Sequence, residues 1–136
     1  MTTMTVQLRS IPGTQSTVGW AEGHTIVVDR PDGKAGGMGL GFNGGQLLGL
    51  AIGGCFCNDL RYVAHEMGIS LASIEVDVAV TLEGSPLLAT QAKMRVAIRA
   101  DDKNADVDGV IRRAREISAV SNSLKRGLPV EFVNGA

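Results

Sequence analysis

Along the chain the spacing of apolar positions changes twice. In the first thirty residues apolar and polar side chains alternate. Val6 and Leu8 are interleaved with Gln7 and Arg9, followed by Thr17-Val18-Gly19-Trp20 and Thr25-Ile26-Val27-Val28. Ile11-Pro12-Gly13 and Glu22-Gly23-His24 interrupt these runs, so the segment predicts short strands joined by turns. Residues 31–45 contain Pro31, Asp32-Gly33, Gly36-Gly37, Gly39, Gly41 and Gly44-Gly45, a density of turn formers that predicts a loop. From Gln46 to Met67 there is no proline, and an apolar stretch gives way to a charged one. This predicts a long central helix over 46–67, ended by Gly68 at the C′ position. Its interior glycines at 49, 53 and 54 each cost about 1 kcal/mol relative to alanine. A helix that keeps them is expected to pack closely against another backbone, with burial, a subunit interface being one setting for it, as the simplest reason.

Period two then returns. Even positions of Ile74–Leu82 are apolar, Gly84-Ser85-Pro86 turns the chain, and Ala92, Met94, Val96 and Ile98 alternate with Gln91, Lys93, Arg95 and Arg99. The pattern predicts a hairpin with one dry and one wet face. Asp101 or Asp102 is the expected cap of a helix over 103–117. Its apolar stripe is Val107, Val110, Ile111, Ala114 and Ile117, with Arg112, Arg113 and Arg115 on the solvated side. A short helical piece to Leu124 and a closing strand over 129–133 complete the order β-β-β-α-β-β-α-α-β. Strands that come in antiparallel groups predict an α+β fold.

The length of 136 residues suits a single domain spanning 1–136, with N-terminal strands in 1–35, the central helix, and the remaining elements in 71–133. A net charge of −1 gives no electrostatic footprint for nucleic acid or membrane, and 4% aromatic content offers few bases a stacking platform. With 44% hydrophobic and 20% charged residues the chain reads as soluble and globular. The N-terminus has no signal-peptide pattern, and no apolar run approaches the roughly 18 residues of a membrane span. Cys55 and Cys57 are too close together to staple a fold, so the cytoplasm is the expected compartment.

Gly39-Leu40-Gly41-Phe42-Asn43-Gly44 satisfies G-x-G-x-x-G. It lacks the βαβ setting and downstream acid of a dinucleotide site, so no cofactor is implied. His24 and His65 lie far from ligand spacing with the cysteines, and no metal is implied either. On a helix the two thiols are about 200° apart, which rules out chelation or a disulfide between them. Cys55 shares a face with Leu48, Ile52, Asp59 and Tyr62, and Cys57 with Gly53, Gly54 and Arg61. Arg61 would favour the thiolate of Cys57, whereas Asp59 would oppose that of Cys55 unless it points elsewhere. Taken by themselves these residues fit buried packing thiols.

The phrase Asn43-Gly-Gly-Gln46-Leu-Leu-Gly-Leu-Ala-Ile-Gly-Gly-Cys55 resembles the OsmC family of osmotically inducible and organic-hydroperoxide-resistance proteins. That family typically carries Asn-Pro-Glu-x-Leu-Leu before Gly-Cys on a central helix, and a Cys-Pro-Val-Ser-Asn-Thr-Leu motif on a later one. Ser118-Ala119-Val120-Ser121-Asn122-Ser123-Leu124 stands in the second place, and Asp29-Arg30-Pro31 with Gly36-Gly37 also fit. The resemblance implies an OsmC-like intertwined homodimer, with antiparallel sheets around long central helices and sites at the subunit interface. It further implies a peroxidatic thiolate that attacks organic hydroperoxides and a second cysteine that resolves the sulfenic acid.

By that resemblance Cys55 is the peroxidatic position, and the resolving cysteine falls on Ser118. The activating glutamate falls on Gly45, with Gln46 beside it. The catalytic arginine, near Thr14-Gln15-Ser16, has no counterpart, which leaves Arg30 or Arg9 as substitutes. Cys57 is extra to the pattern. Three readings follow: a one-cysteine thiol peroxidase using an external thiol reductant, a dimeric binder of a small hydrophobic or electrophilic molecule, or a scaffold whose cysteines only pack.

Overall fold

The computed structural model describes residues 1–133. Two compact units divide the chain, Met1–Leu48 and Gly49–Ala136. In the first, β1 (Gln7–Ser10), β2 (Thr17–Ala21) and β3 (His24–Val28) form an antiparallel meander in the order β1-β2-β3. Gln7 stands opposite Trp20 and Thr17 opposite Val28. The glycine-rich loop that follows is fastened at both ends: the Asp29 amide donates to the Phe42 carbonyl at 3.1 Å, and the Phe42 amide to the Val27 carbonyl at 2.9 Å.

Helix α1 spans Gly44–Glu66, two residues earlier at its start than the 46–67 expected. Asn43 and Gln46 explain the earlier start. Asn43 Oδ1 accepts the Gln46 amide at 2.9 Å and Gln46 Oε1 accepts the Asn43 amide at 3.0 Å, a reciprocal capping box. At the other end Gly68 adopts φ +68 as expected. Its amide donates to the His65 carbonyl and that of Ile69 to the Ala64 carbonyl, the paired bonds of a Schellman motif.

In the second unit, β4 (Leu71–Glu83) and β5 (Leu88–Ala100) form the predicted hairpin, longer at both ends than the alternation suggests. Ile74 faces Ile98, Val76 faces Val96 and Val78 faces Met94 on the dry side, while Asp77 faces Arg95 on the wet one. Helix α1 lies against the dry side. A Cβ placed on Gly53 would stand 2.9 Å from Val78 Cγ2, and one on Gly49 would stand 3.5 Å from Val80 Cγ2. The protomer's own hairpin therefore accounts for Gly53 without a second subunit, whereas a Cβ at Gly49 would make only an ordinary packing contact. Gly54 is exposed, and a Cβ there would meet nothing within 4 Å.

The core joins Phe56, Leu60, Val63 and Ala64 of α1 to Leu71 and Ala100 at the hairpin's base and Val110 and Ala114 of α2 (Val107–Ile117). The cap of α2 is Asp106, not Asp101 or Asp102. Asp106 Oδ1 accepts the Gly109 amide at 2.9 Å, whereas Asp102 closes a local turn by accepting the Asn104 amide at 2.9 Å. Arg112, Arg113 and Arg115 are exposed as expected, Arg113 pairing with Glu66 at 3.1 Å. Helix α3 (Ala119–Arg126) ends at Gly127.

The closing strand expected over 129–133 does not form. A strand exists only as part of a ladder. Among the described residues nothing pairs with this segment, and Phe132 is 99% exposed. The α+β architecture otherwise stands, with three helices and antiparallel sheets among the described residues.

Candidate functional site

Helix α1 carries both thiols, and its periodicity decides their surroundings. Ile52, Phe56, Asp59, Leu60 and Val63 are buried along one side, and Ala51, Gly54, Asn58, Arg61 and His65 are exposed along the other. Cys55 and Cys57 are both half-buried and free. With about 100° per residue they occupy opposite flanks of the exposed stripe. Their side chains diverge, so they cannot bridge to each other while the helix holds.

Cys55 has a definite partner. Its thiol donates to Asp59 Oδ2 at 3.7 Å, one helical turn on. Asp59 is 8% exposed and backs onto the core. Among the described residues it forms no ion pair. The cation expected to serve Cys57 is engaged elsewhere, because Arg61 Nη1 donates to the Leu71 carbonyl at 3.1 Å.

Arg30 and Gln46 have partners within the first unit. Arg30 Nη2 donates to the Gln15 carbonyl at 2.9 Å and lies 3.6 Å from Asp29 Oδ1, while its Nε is buried without a hydrogen-bond partner. Gln46 is exposed and spent on the capping box. Ser118 is the N-cap residue of α3 and is 1% exposed, yet its hydroxyl makes no capping bond and has no partner. The Ser121 hydroxyl is likewise buried without a partner. Asn122, in the same motif, ties α3 to α2 by donating Nδ2 to the Glu116 carbonyl at 3.0 Å. This bond satisfies one of the orphan carbonyls at the end of α2.

Asp29 is a buried organising residue of the loop that periodicity does not reveal. Its buried carboxylate accepts the amides of Arg30 at 2.7 Å, Leu40 at 3.0 Å and Met38 at 3.1 Å, and so gathers the glycine-rich loop around itself. The Leu40 amide is the strongest influence holding its carboxyl down at about 2, with Met38, Arg30 and the Ser16 hydroxyl adding to it against the upward push of burial. Its sequence signals are its place at the mouth of a glycine-rich loop and in the Asp29-Arg30-Pro31 segment.

The arrangement supplies one partly accessible thiol with an adjacent proton acceptor, and the other cysteine lies on the opposite flank of the helix. Among the described residues no three His, Cys, Asp or Glu side chains converge as metal ligands. Among the described residues no helix is long and apolar enough to cross a membrane.

Comparison with known proteins agrees with this fold. No curated protein matches the sequence. Among solved structures, an OsmC-like protein of Mycoplasma pneumoniae is similar at TM-score 0.75 and 14% identity, over 93% of this chain and 89% of that one. An organic hydroperoxide resistance protein, OsmC, of Legionella pneumophila gives TM-score 0.64 at 20% identity, over 93% and 91%. A Vibrio cholerae protein assigned to organic hydroperoxide resistance, with captopril in one of its active sites, gives 0.65 at 19%, over 94% and 88%. At these identities the likeness is one of fold. The OsmC-like protein profile, in contrast, matches residues 36–133 directly, well over half the sequence, and the chain belongs to the OsmC-like family.

Proposed function

We propose that this protein is a one-cysteine, thiol-dependent reductase of organic hydroperoxides that acts through Cys55. The observation that carries the reading is the Cys55–Asp59 pair, a half-buried thiol hydrogen-bonded to a carboxylate. Asp59 points at Cys55, so its charge disfavours a free thiolate there, and the part proposed for it is to accept the thiol proton as the S–O bond forms. In the reaction Sγ attacks the distal oxygen of ROOH, and the S–O bond forms as the O–O bond breaks. The thiol proton passes by way of Asp59 to the departing alkoxide, which leaves as ROH. Cys55 is then a sulfenic acid. A first external thiol condenses with it and releases water, and a second displaces the mixed disulfide to restore the thiol. No cofactor enters this cycle. Cys57 and Ser118 take no covalent part, and Arg30 and Gln46 serve the scaffold.

The working form we propose is a cytoplasmic homodimer. The chain exposes 10299 Å². Two separate compact units sharing its mass would expose about 8,000 Å². Leu128, Val130, Phe132 and Val133 stand bare in the C-terminal arm, and a second copy supplies the cover that such an apolar segment needs.

The test is consumption of cumene hydroperoxide with dithiothreitol as reductant. Cys55→Ser is expected to fall to the rate of the reductant alone, and Cys57→Ser to stay near the parent. Equal rates for the parent and Cys55→Ser would end the peroxidase reading, and loss in Cys57→Ser alone would move the nucleophile to Cys57. A second reading, a non-catalytic binder of small molecules, draws on the captopril held by the Vibrio cholerae relative and on the serine at the resolving position. It predicts native-mass adducts that persist without turnover.

A further inference from the structure

We infer that Asp59 makes Cys55 a charge-selective nucleophile, one that reacts faster with neutral or cationic electrophiles than with those carrying a negative charge within a few bonds of the reacting atom. The inference builds on Cys55 being the reactive thiol of the preceding section. The i, i+4 spacing on α1 keeps the two side chains neighbours, and the thiol reaches Oδ2 at 3.7 Å. Asp59 lies on the core side of the helix beside Phe56, Leu60 and Val63, which keeps its carboxylate from swinging out to solvent.

Its charge is also left standing. Among the described residues no cation pairs with it. Arg61, two positions on, is held by the Leu71 carbonyl on another side of the helix. A partly buried charge without a counterion is poorly screened by salt, so an incoming anion meets it at nearly full strength. For the hydroperoxide reading this names the substrate class: neutral alkyl and aryl hydroperoxides rather than small carboxylated ones.

Two alkylating reagents that differ in charge isolate the effect. Iodoacetamide is neutral and iodoacetate anionic. With either one the S–C bond forms as the C–I bond breaks, iodide leaves, and the thiol proton goes to Asp59 and then to solvent. Rates are measured in the Cys57→Ser background so that Cys55 alone reports. The ratio of the amide rate to the acetate rate is divided by the ratio for the same chain unfolded in urea.

The normalised ratio in the folded protein should exceed unity by about threefold or more, what unit charges some 7 Å apart exchange in bulk-like water. Asp59→Asn should bring it to about one, and Asp59→Glu, which keeps the charge, should hold it above one. A merely structural Asp59 would alter both rates together and leave the ratio fixed. A ratio of one in the parent, or one unmoved by Asp59→Asn, overturns the inference even if hydroperoxide is consumed. A raised ratio that Asp59 controls sustains it even if no hydroperoxide is consumed, so the two proposals fail separately.

Discussion

Asp29 and Asp59 are both carboxylates withdrawn from solvent, one in each compact unit, and they are furnished in opposite ways. Three backbone amides converge on Asp29. Asp59 is offered a single thiol proton. Backbone amides are strong donors fixed by the chain, and a carboxylate that satisfies several of them becomes part of the backbone's own bonding. A thiol is a weak donor, so a carboxylate beside it keeps most of its capacity to accept. The residue type is the same, and what separates scaffold from chemistry is the supply of donors.

The contrast is open to three tests, in order of expected effect. Asp29→Asn leaves the loop amides facing a neutral group that also carries donors, and should lower the melting temperature more than any other single change discussed here. Its pH dependence has a definite sign. The folded carboxyl titrates at about 2, below the ordinary value of 3.8, so its contribution is complete above about pH 4 and is lost as pH falls through about 2. Melts between pH 2 and 7 should show that loss in the parent and its absence in Asp29→Asn. A difference between the two proteins that is constant across the range would remove the acid-sensitive role.

Gln46→Ala deletes half of the capping box and should cost about 1 kcal/mol by urea denaturation, with hydroperoxide turnover intact. Turnover that collapses while stability holds would return Gln46 to the chemistry. Asp59→Asn is the smallest. With only a sulfur donor to lose, it should shift stability by less than about 1 kcal/mol while altering the reactivity of Cys55. A loss rivalling that of Asp29→Asn would erase the contrast.

The two carboxylates also mark where reading the sequence stops. Helix α1 and the β4–β5 hairpin are legible because burial of one face imposes a period, and the period survives in the sequence. The family is legible in the Asn43–Cys55 phrase. The capping box is present as Asn43 and Gln46 three apart, but Gly44-Gly45 between them reads as loop and hides the first turn. The start of α2 is ambiguous among three aspartates until hydrogen bonds choose Asp106. Residues 129–133 have the alternation of a strand, yet alternation supplies no partner edge. The i, i+4 spacing already sets Asp59 beside Cys55, whereas the role of Asp29 depends on loop amides brought in by folding, which no spacing rule announces.

Gly53 and Gly54 are neighbours on α1 with opposite surroundings, one pressed on Val78 and Val76 and the other facing open space. Mutation therefore meets two different regimes at adjacent codons. At Gly53 a methyl would stand 2.9 Å from Val78 Cγ2, so that side chain must shift to admit it and packing resists the change. At Gly54 alanine is free of any clash and gains about 1 kcal/mol of helix propensity. A glycine kept at position 54 across related chains would be the signature of something that docks against the exposed side of α1.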